Sequence, residues 1–153
     1  MRRRDLRKII MTTLYQYQLL DLDMDTLLGN NLVYDLPARF ELEETNPLIS
    51  AAELKQCDFQ FDEKEEIEFV IKVVTNAVNK EEEFAEEIGK LLVKWDYDRL
   101  GLVERSILLM AFSEMDLHTA DRKTIIDESV ELAKVYCEDD AYAMINGVLD
   151  HHE

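Results

Sequence analysis

Between Phe61 and Asp150 the apolar residues recur three and four apart in successive stripes, and this periodicity restricts the chain to packed helices. Ile67, Val70, Ile71, Val74, Ala77 and Val78 form one stripe, with Asp62 and Glu63 in a first turn where acids suit the helix dipole. Phe84, Ile88, Leu91, Leu92 and Trp95 form the next, which assigns Trp95 to the core. After a turn at Asp96–Gly101 come Val103, Ile107, Met110, Ala111 and Met115. Ile126, Ser129, Val130, Ala133 and Tyr136 follow, in a helix for which Asp121 or Thr124 is the candidate cap. A last helix beginning near Asp139 or Asp140 buries Met144, Ile145, Val148 and Leu149, and Gly147 within it implies close helix packing.

Upstream, Leu6, Ile9, Ile10, Thr13, Leu14, Tyr17 and Leu20 mark one face of a first helix, with Arg3, Arg4, Arg7 and Lys8 at its start or on its other face. Residues 21–60 are less regular. They suggest a short helix near 23–32, a mobile loop carrying Pro37 and Pro47, and a second short helix near 48–57. Hardly any segment alternates with period two. The expectation is an all-α, compact bundle of about six or seven helices: one domain over 1–153, in two packed halves of about 1–80 and 81–153. Each buried large apolar side chain contributes roughly 1.5–3 kcal/mol against roughly 1–2 kcal/mol to order each residue, so stripes of this length support a core where one short helix would not.

The formal net charge is −17, which by itself argues against nucleic acid. The charge is unevenly spread. Residues 1–10 hold five basic side chains and one acidic one, leaving about −21 on the remainder. A positive end on a negative body grips phosphates locally while the body repels them. Cations at a helix start also oppose the macrodipole, so a sequence shaped by stability alone would favour acids there. Those arginines therefore point to a ligand.

No apolar run approaches the ~20 residues needed to cross a bilayer, and the basic start leads into an amphipathic helix rather than an apolar signal core. Cys57 and Cys137, with no Cys-x-x-Cys spacing, fit reduced thiols in a cytoplasmic protein. His151 and His152 are adjacent and point apart on a helix, so they and His118 imply no metal site. There is no Ser-His-Asp spacing, phosphate loop or isolated carboxylate pair, and neither enzymatic activity nor a cofactor is expected.

Three blocks carry a family resemblance. The arginine-rich head runs into Leu14-Tyr15. Trp95-Asp96-Tyr97-Asp98-Arg99-Leu100-Gly101-Leu102-Val103-Glu104-Arg105-Ser106-Ile107-Leu108 opens a helix. Asp127-Glu128-Ser129-Val130-Glu131-Leu132-Ala133-Lys134 leads through an acidic turn to Asn146-Gly147-Val148-Leu149-Asp150. In this order and spacing they resemble NusB, a family of small all-helical bacterial transcription antitermination factors. The resemblance implies binding of a short single-stranded RNA element, boxA, together with the small-subunit ribosomal protein NusE, within an RNA polymerase antitermination complex. It implies RNA contacts at Arg3, Arg4 and Arg7 and, beside the start of the last helix, at Asp139, Asp140 and Met144. It implies a face for the ribosomal protein at Tyr15, Asp98 and Glu104. Arginine pairs with phosphates and stacks on bases, and carboxylates suit a basic partner.

The chain also departs from the family pattern. Ala143 and Met144 stand where members often carry a lysine and a phenylalanine, so a cation and a stacking surface are missing there. Cys137 replaces a glycine, Asp121 a proline and Asp127 an asparagine. A second reading is therefore a NusB-like protein-interaction module with weak or no RNA binding.

Overall fold

The computed structural model describes residues 3–20, 22–31, 64–138 and 140–152. Among them are seven α-helices and one 3-10 turn: α1 (Arg3–Leu19), α2 (Met24–Asn31), α3 (Lys64–Asn79), α4 (Glu81–Leu91), the turn at Tyr97–Arg99, α5 (Leu102–Leu117), α6 (Arg122–Tyr136) and α7 (Ala141–His151). The all-α expectation holds. The loop carrying Pro37 and Pro47, the short helix expected near 48–57, the acids Asp62 and Glu63, and Cys57 and Asp139 lie outside the described residues. Contacts divide the chain into two compact units, Met1–Val74 and Thr75–Glu153, with the boundary inside α3. Among the described residues, no helix is long and apolar enough to cross a membrane.

In the first unit α1 packs against α2. The α1 stripe is buried as its spacing predicts at Leu6, Ile9, Ile10, Thr13 and Leu14, but so are Asp5, Arg7, Met11, Thr12 and Gln16. The helix is thus enclosed over more than one face, which a single amphipathic stripe does not anticipate. Thr13 returns its hydroxyl proton to the Ile9 carbonyl (2.8 Å) and accepts from the Asn31 amide (2.9 Å), which also donates to Gln16 Oε1 (2.8 Å). These bonds satisfy buried polar groups and tie the end of α2 to α1. The start of α2 is capped by Asp23, whose Oδ1 accepts from the Thr26 amide at 2.7 Å.

In the second unit α5 is the central helix, packed against α4, α6 and α7. Every residue from Ser106 to Glu114 is buried. A helix apolar enough to be covered all round belongs in the middle of a core. It ends at His118 in the left-handed conformation (φ 54°), where the His118 and Thr119 amides reach back to the Met115 and Glu114 carbonyls. Thr119 adds a hydroxyl bond to Glu114 Oε1 (2.8 Å), satisfying a fully buried carboxylate. Of the two candidate caps for α6, Asp121 is the one used: its Oδ1 accepts from the Thr124 amide at 2.8 Å, and the Thr124 hydroxyl, then this amide, hold its carboxyl below the usual range. α7 packs on α6, α5 and α4 and buries Ala141, Ile145, Val148 and Leu149. Arg122 of α6 donates to the Leu149 and Asp150 carbonyls (2.9 and 2.6 Å), a cation at the negative end of α7.

Two sequence expectations are corrected here. α4 stops at Leu91, with Leu92 already extended, so Trp95 lies in the following loop and is 44% exposed rather than core. A Cβ built on Gly147 meets nothing within 4 Å, so this glycine answers to no close helix contact.

Candidate nucleic-acid interface

The predicted site residues divide between the units. Arg3, Arg4, Arg7 and Tyr15 belong to the first, and Asp98, Glu104, Asp140 and Met144 to the second. Each group is described within its own unit.

Arg3 and Arg4 open α1 and are exposed. The Arg3 guanidinium lies 3.7 Å from the centroid of Phe69, a ring 4% exposed. A buried ring beneath an exposed guanidinium fixes the cation by quadrupole attraction and leaves its other face to solvent. Arg7 departs from the face its spacing assigned: it is 4% exposed. Its charge contributes to the field at this end of the helix, but its guanidinium offers little contact surface. Tyr15 is half-buried on the same helix.

At the start of α7, Asp140 is the N-cap residue but provides no side-chain cap, in contrast to Asp121 at the start of α6. Asp140 and Met144 come together through the backbone, where the Met144 amide donates to the Asp140 carbonyl at 3.4 Å. An α-helix start presents amide protons and the positive end of the dipole. A ring and a cation stand beside Ala143 and Met144, the cation also 3.5 Å from Glu131. Tyr142 is 41% exposed, and the Lys134 ammonium stands 5.5 Å from its ring centroid. The sequence reading missed this pair, although Lys134 lies in the last turn of α6 and Tyr142 in the first turn of α7.

Asp98 is exposed in the 3-10 turn, and its carbonyl accepts from Arg105 Nη2. Arg105 also donates from Nε to the Tyr97 carbonyl (3.1 Å) and lies 5.2 Å from the Tyr97 ring centroid. Tyr97 is half-buried, and burial pushes its phenol up to about 12. It is therefore packed beneath Arg105 rather than offered to a base. Glu104 folds back over Gly101, and its carboxylate takes the space a Cβ would fill there; it is the far end of a flexible side chain, and Gly101 itself is extended (φ −63°, ψ 156°). Cys137 is half-buried, and burial pushes its thiol up to about 12, so it is unreactive at neutral pH.

Two of the hollows among the described residues open in the second unit. One, of about 690 Å³, is lined by Glu83, Glu87, Asp116, Phe112, Arg122 and His152 among others. The other, of about 230 Å³, runs between residues 91–95 and α7, past Met144 and Gly147. Among the described residues no group of three His, Cys, Asp or Glu side chains is placed to share a metal ion.

Comparison with known proteins agrees with this architecture. The antitermination protein NusB of Staphylococcus carnosus is 37% identical over 116 residues, 74% of this chain and 89% of that protein. Against several other curated NusB relatives the chain spans about half of their length, 47% and 46% for two of them. NusB of T. maritima superposes with a TM-score of 0.74 at 23% identity, covering 98% of this chain and 89% of that one. A crystal structure of the antitermination factors NusB and NusE in complex with dsRNA matches with a TM-score of 0.70 at 23% identity, over 97% of this chain and 92% of that one. The NusB family model matches residues 4–153, and the chain belongs to the NusB family.

Proposed function

We propose that this protein is an antitermination factor that binds boxA-like single-stranded RNA together with the ribosomal protein NusE, and so joins an RNA polymerase antitermination complex. The observation that carries the reading is Arg3: an exposed guanidinium seated on a buried ring, at the basic end of an acidic chain. Arg4 stands exposed beside it, and Arg7 adds charge from beneath. The start of α7, with Asp139, Asp140 and Met144, borders the RNA, and Tyr142 and Lys134 provide a ring and a cation there. Tyr15, Asp98 and Glu104 meet the ribosomal protein, the two carboxylates by attraction to a basic surface. Support for the pairing comes from the family and from the NusB–NusE complex with dsRNA that shares this fold.

The test is binding of a boxA-like oligoribonucleotide, with and without NusE, across salt. Contact with roughly four phosphates gives a log–log salt slope near −3, at about −0.7 per contact on a single strand. Arg3→Glu with Arg4→Glu removes about half of that slope, two contacts at about −0.7 each. Binding indifferent to both salt and charge reversal counts against the proposal. The charge of −17 and the residues Ala143 and Met144 favour one alternative, an interaction module that retains NusE and binds RNA weakly or not at all. Capture of NusE with no RNA affinity in either condition selects it.

A further inference from the structure

The smaller hollow of the second unit has properties that neither the family comparison nor the sequence reading assigned. One wall is the extended segment that leaves α4. Val93 there is 93% exposed and Trp95 is 44% exposed, so two large apolar side chains face solvent within three residues. The other wall is α7 at Met144 and Gly147. Glycine is unfavourable inside a helix, yet no neighbour occupies the space its missing side chain leaves. That space belongs to the groove, which reaches down to the α7 backbone. The charge is as distinctive as the shape. In a chain with 34 acidic residues, no carboxylate among the described residues lines this groove, and among them Lys94 is its one lysine or arginine. An exposed indole, room beside it for a flat ring, and a lysine in place of acids together suit an aromatic group attached to an anion.

We propose that this groove is a nucleobase slot: Trp95 stacks on one base of the bound single-stranded RNA, Gly147 makes room for it, and Lys94 meets a flanking phosphate. The proposal rests on the RNA-binding reading above and adds the stacking surface that Met144 does not provide. Stacking on an aromatic face accepts any base, so the slot strengthens binding without selecting sequence.

Trp95 is the only tryptophan, so its emission reports on the slot directly. The experiment titrates the full chain with a fluorescently labelled boxA-like oligoribonucleotide, with NusE present, and reads label anisotropy and tryptophan emission together. Stacking quenches the emission. Trp95→Ala weakens RNA binding by between about 5-fold and 150-fold, and Trp95→Phe recovers most of the loss. Gly147→Leu, which fills the slot, weakens binding while leaving the salt slope unchanged, whereas Lys94→Gln lowers that slope by about 0.7. Circular dichroism checks that each variant keeps its helices. If RNA binds Trp95→Ala and Gly147→Leu as tightly as the parent and leaves the parent's emission unchanged, the slot is overturned while the RNA reading stands. If no RNA binds in any condition, both fall. If NusE without RNA changes the emission and Trp95→Ala weakens NusE alone, the groove is a protein-docking surface and the base slot is rejected.

Discussion

The two hollows of the second unit share Leu91 and His151 in their linings, yet they differ in what their side chains have left to give. In the larger one Asp116, Arg122 and His152 are already engaged. Asp116 accepts from Lys80 (2.8 Å) and Asn76 (3.1 Å), and the Lys80 bond holds its carboxyl below the usual range. Arg122 is bonded to the end of α7. His152 stacks on Phe112 with ring centroids 4.0 Å apart, and its Nδ1 lies 3.7 Å from Glu87. In the smaller one an indole, a lysine and an open stretch of helix face solvent. The larger hollow is a seam that holds α4, α5, α6 and α7 together, and the smaller one is a surface with unused bonding capacity. Volume alone ranks them the other way.

The largest expected effect separates stability from binding. Phe112 is fully buried and meets Phe84 edge-on at 5.8 Å as well as stacking on His152. Phe112→Ala is expected to cost about 3–5 kcal/mol of stability, read as a fall in the urea midpoint at constant slope. Trp95→Ala is expected to change stability by less than about 0.5 kcal/mol, because an exposed loop residue leaves no cavity. Equal losses from the two substitutions would erase the distinction between seam and surface.

The sequence rendered the seam better than the surface. The stripes over 102–117 and 122–136 were legible because i, i+3 and i+4 spacing is written within two turns, and Asp121 as a cap because its partner is three residues away. The all-round burial of α5 was not legible, since it depends on three helices from elsewhere in the chain. Trp95 was misplaced for a related reason. It falls three residues after Leu92, in perfect phase with a stripe, but phase does not record where a helix stops. At Gly147 a glycine looked like a close contact, and the groove that explains it needs both walls in place. Arg3 and Arg4 were legible as the exposed start of α1. Arg7 was not, because the enclosure of α1 goes beyond the face its own spacing marks.

Smaller effects test how tightly the seam is drawn. Arg122→Ala removes two bonds to the end of α7 and is expected to cost about 1 kcal/mol, with hydrogen exchange accelerating first at Leu149 and Asp150. RNA affinity should hold if the two hollows are independent. His118, which lines the larger hollow, sits at φ 54°, a backbone conformation costly for a side-chain-bearing residue. His118→Gly relieves that strain but frees the unfolded chain, for an expected net gain of about 0.5 kcal/mol, seen as a higher melting temperature. A loss would mean that the imidazole itself helps to hold the seam.

The finest test is a titration. Burial holds the His152 imidazole below its usual 6.5, and Arg122 pushes the same way against the opposing pull of Glu87 and Asp116. A depressed folded-state value means that the folded protein binds fewer protons than the unfolded chain near that pH. The contribution of the docked neutral ring is therefore complete above about 6.5 and is lost as pH falls through the folded-state value. NMR should find the His152 ring protons titrating on the acid side of 6.5. Glu87→Gln should move that midpoint lower still, since it removes the carboxylate that most favours the cation. His152→Phe keeps a ring against Phe112 and should flatten the dependence of stability on pH in this window. Trp95 emission should show no step that shifts with the His152 midpoint in Glu87→Gln, because His152 lines the seam and not the groove. A step in that emission at the His152 midpoint would show the two hollows coupled, with His151, common to both linings, as the side chain through which to trace it.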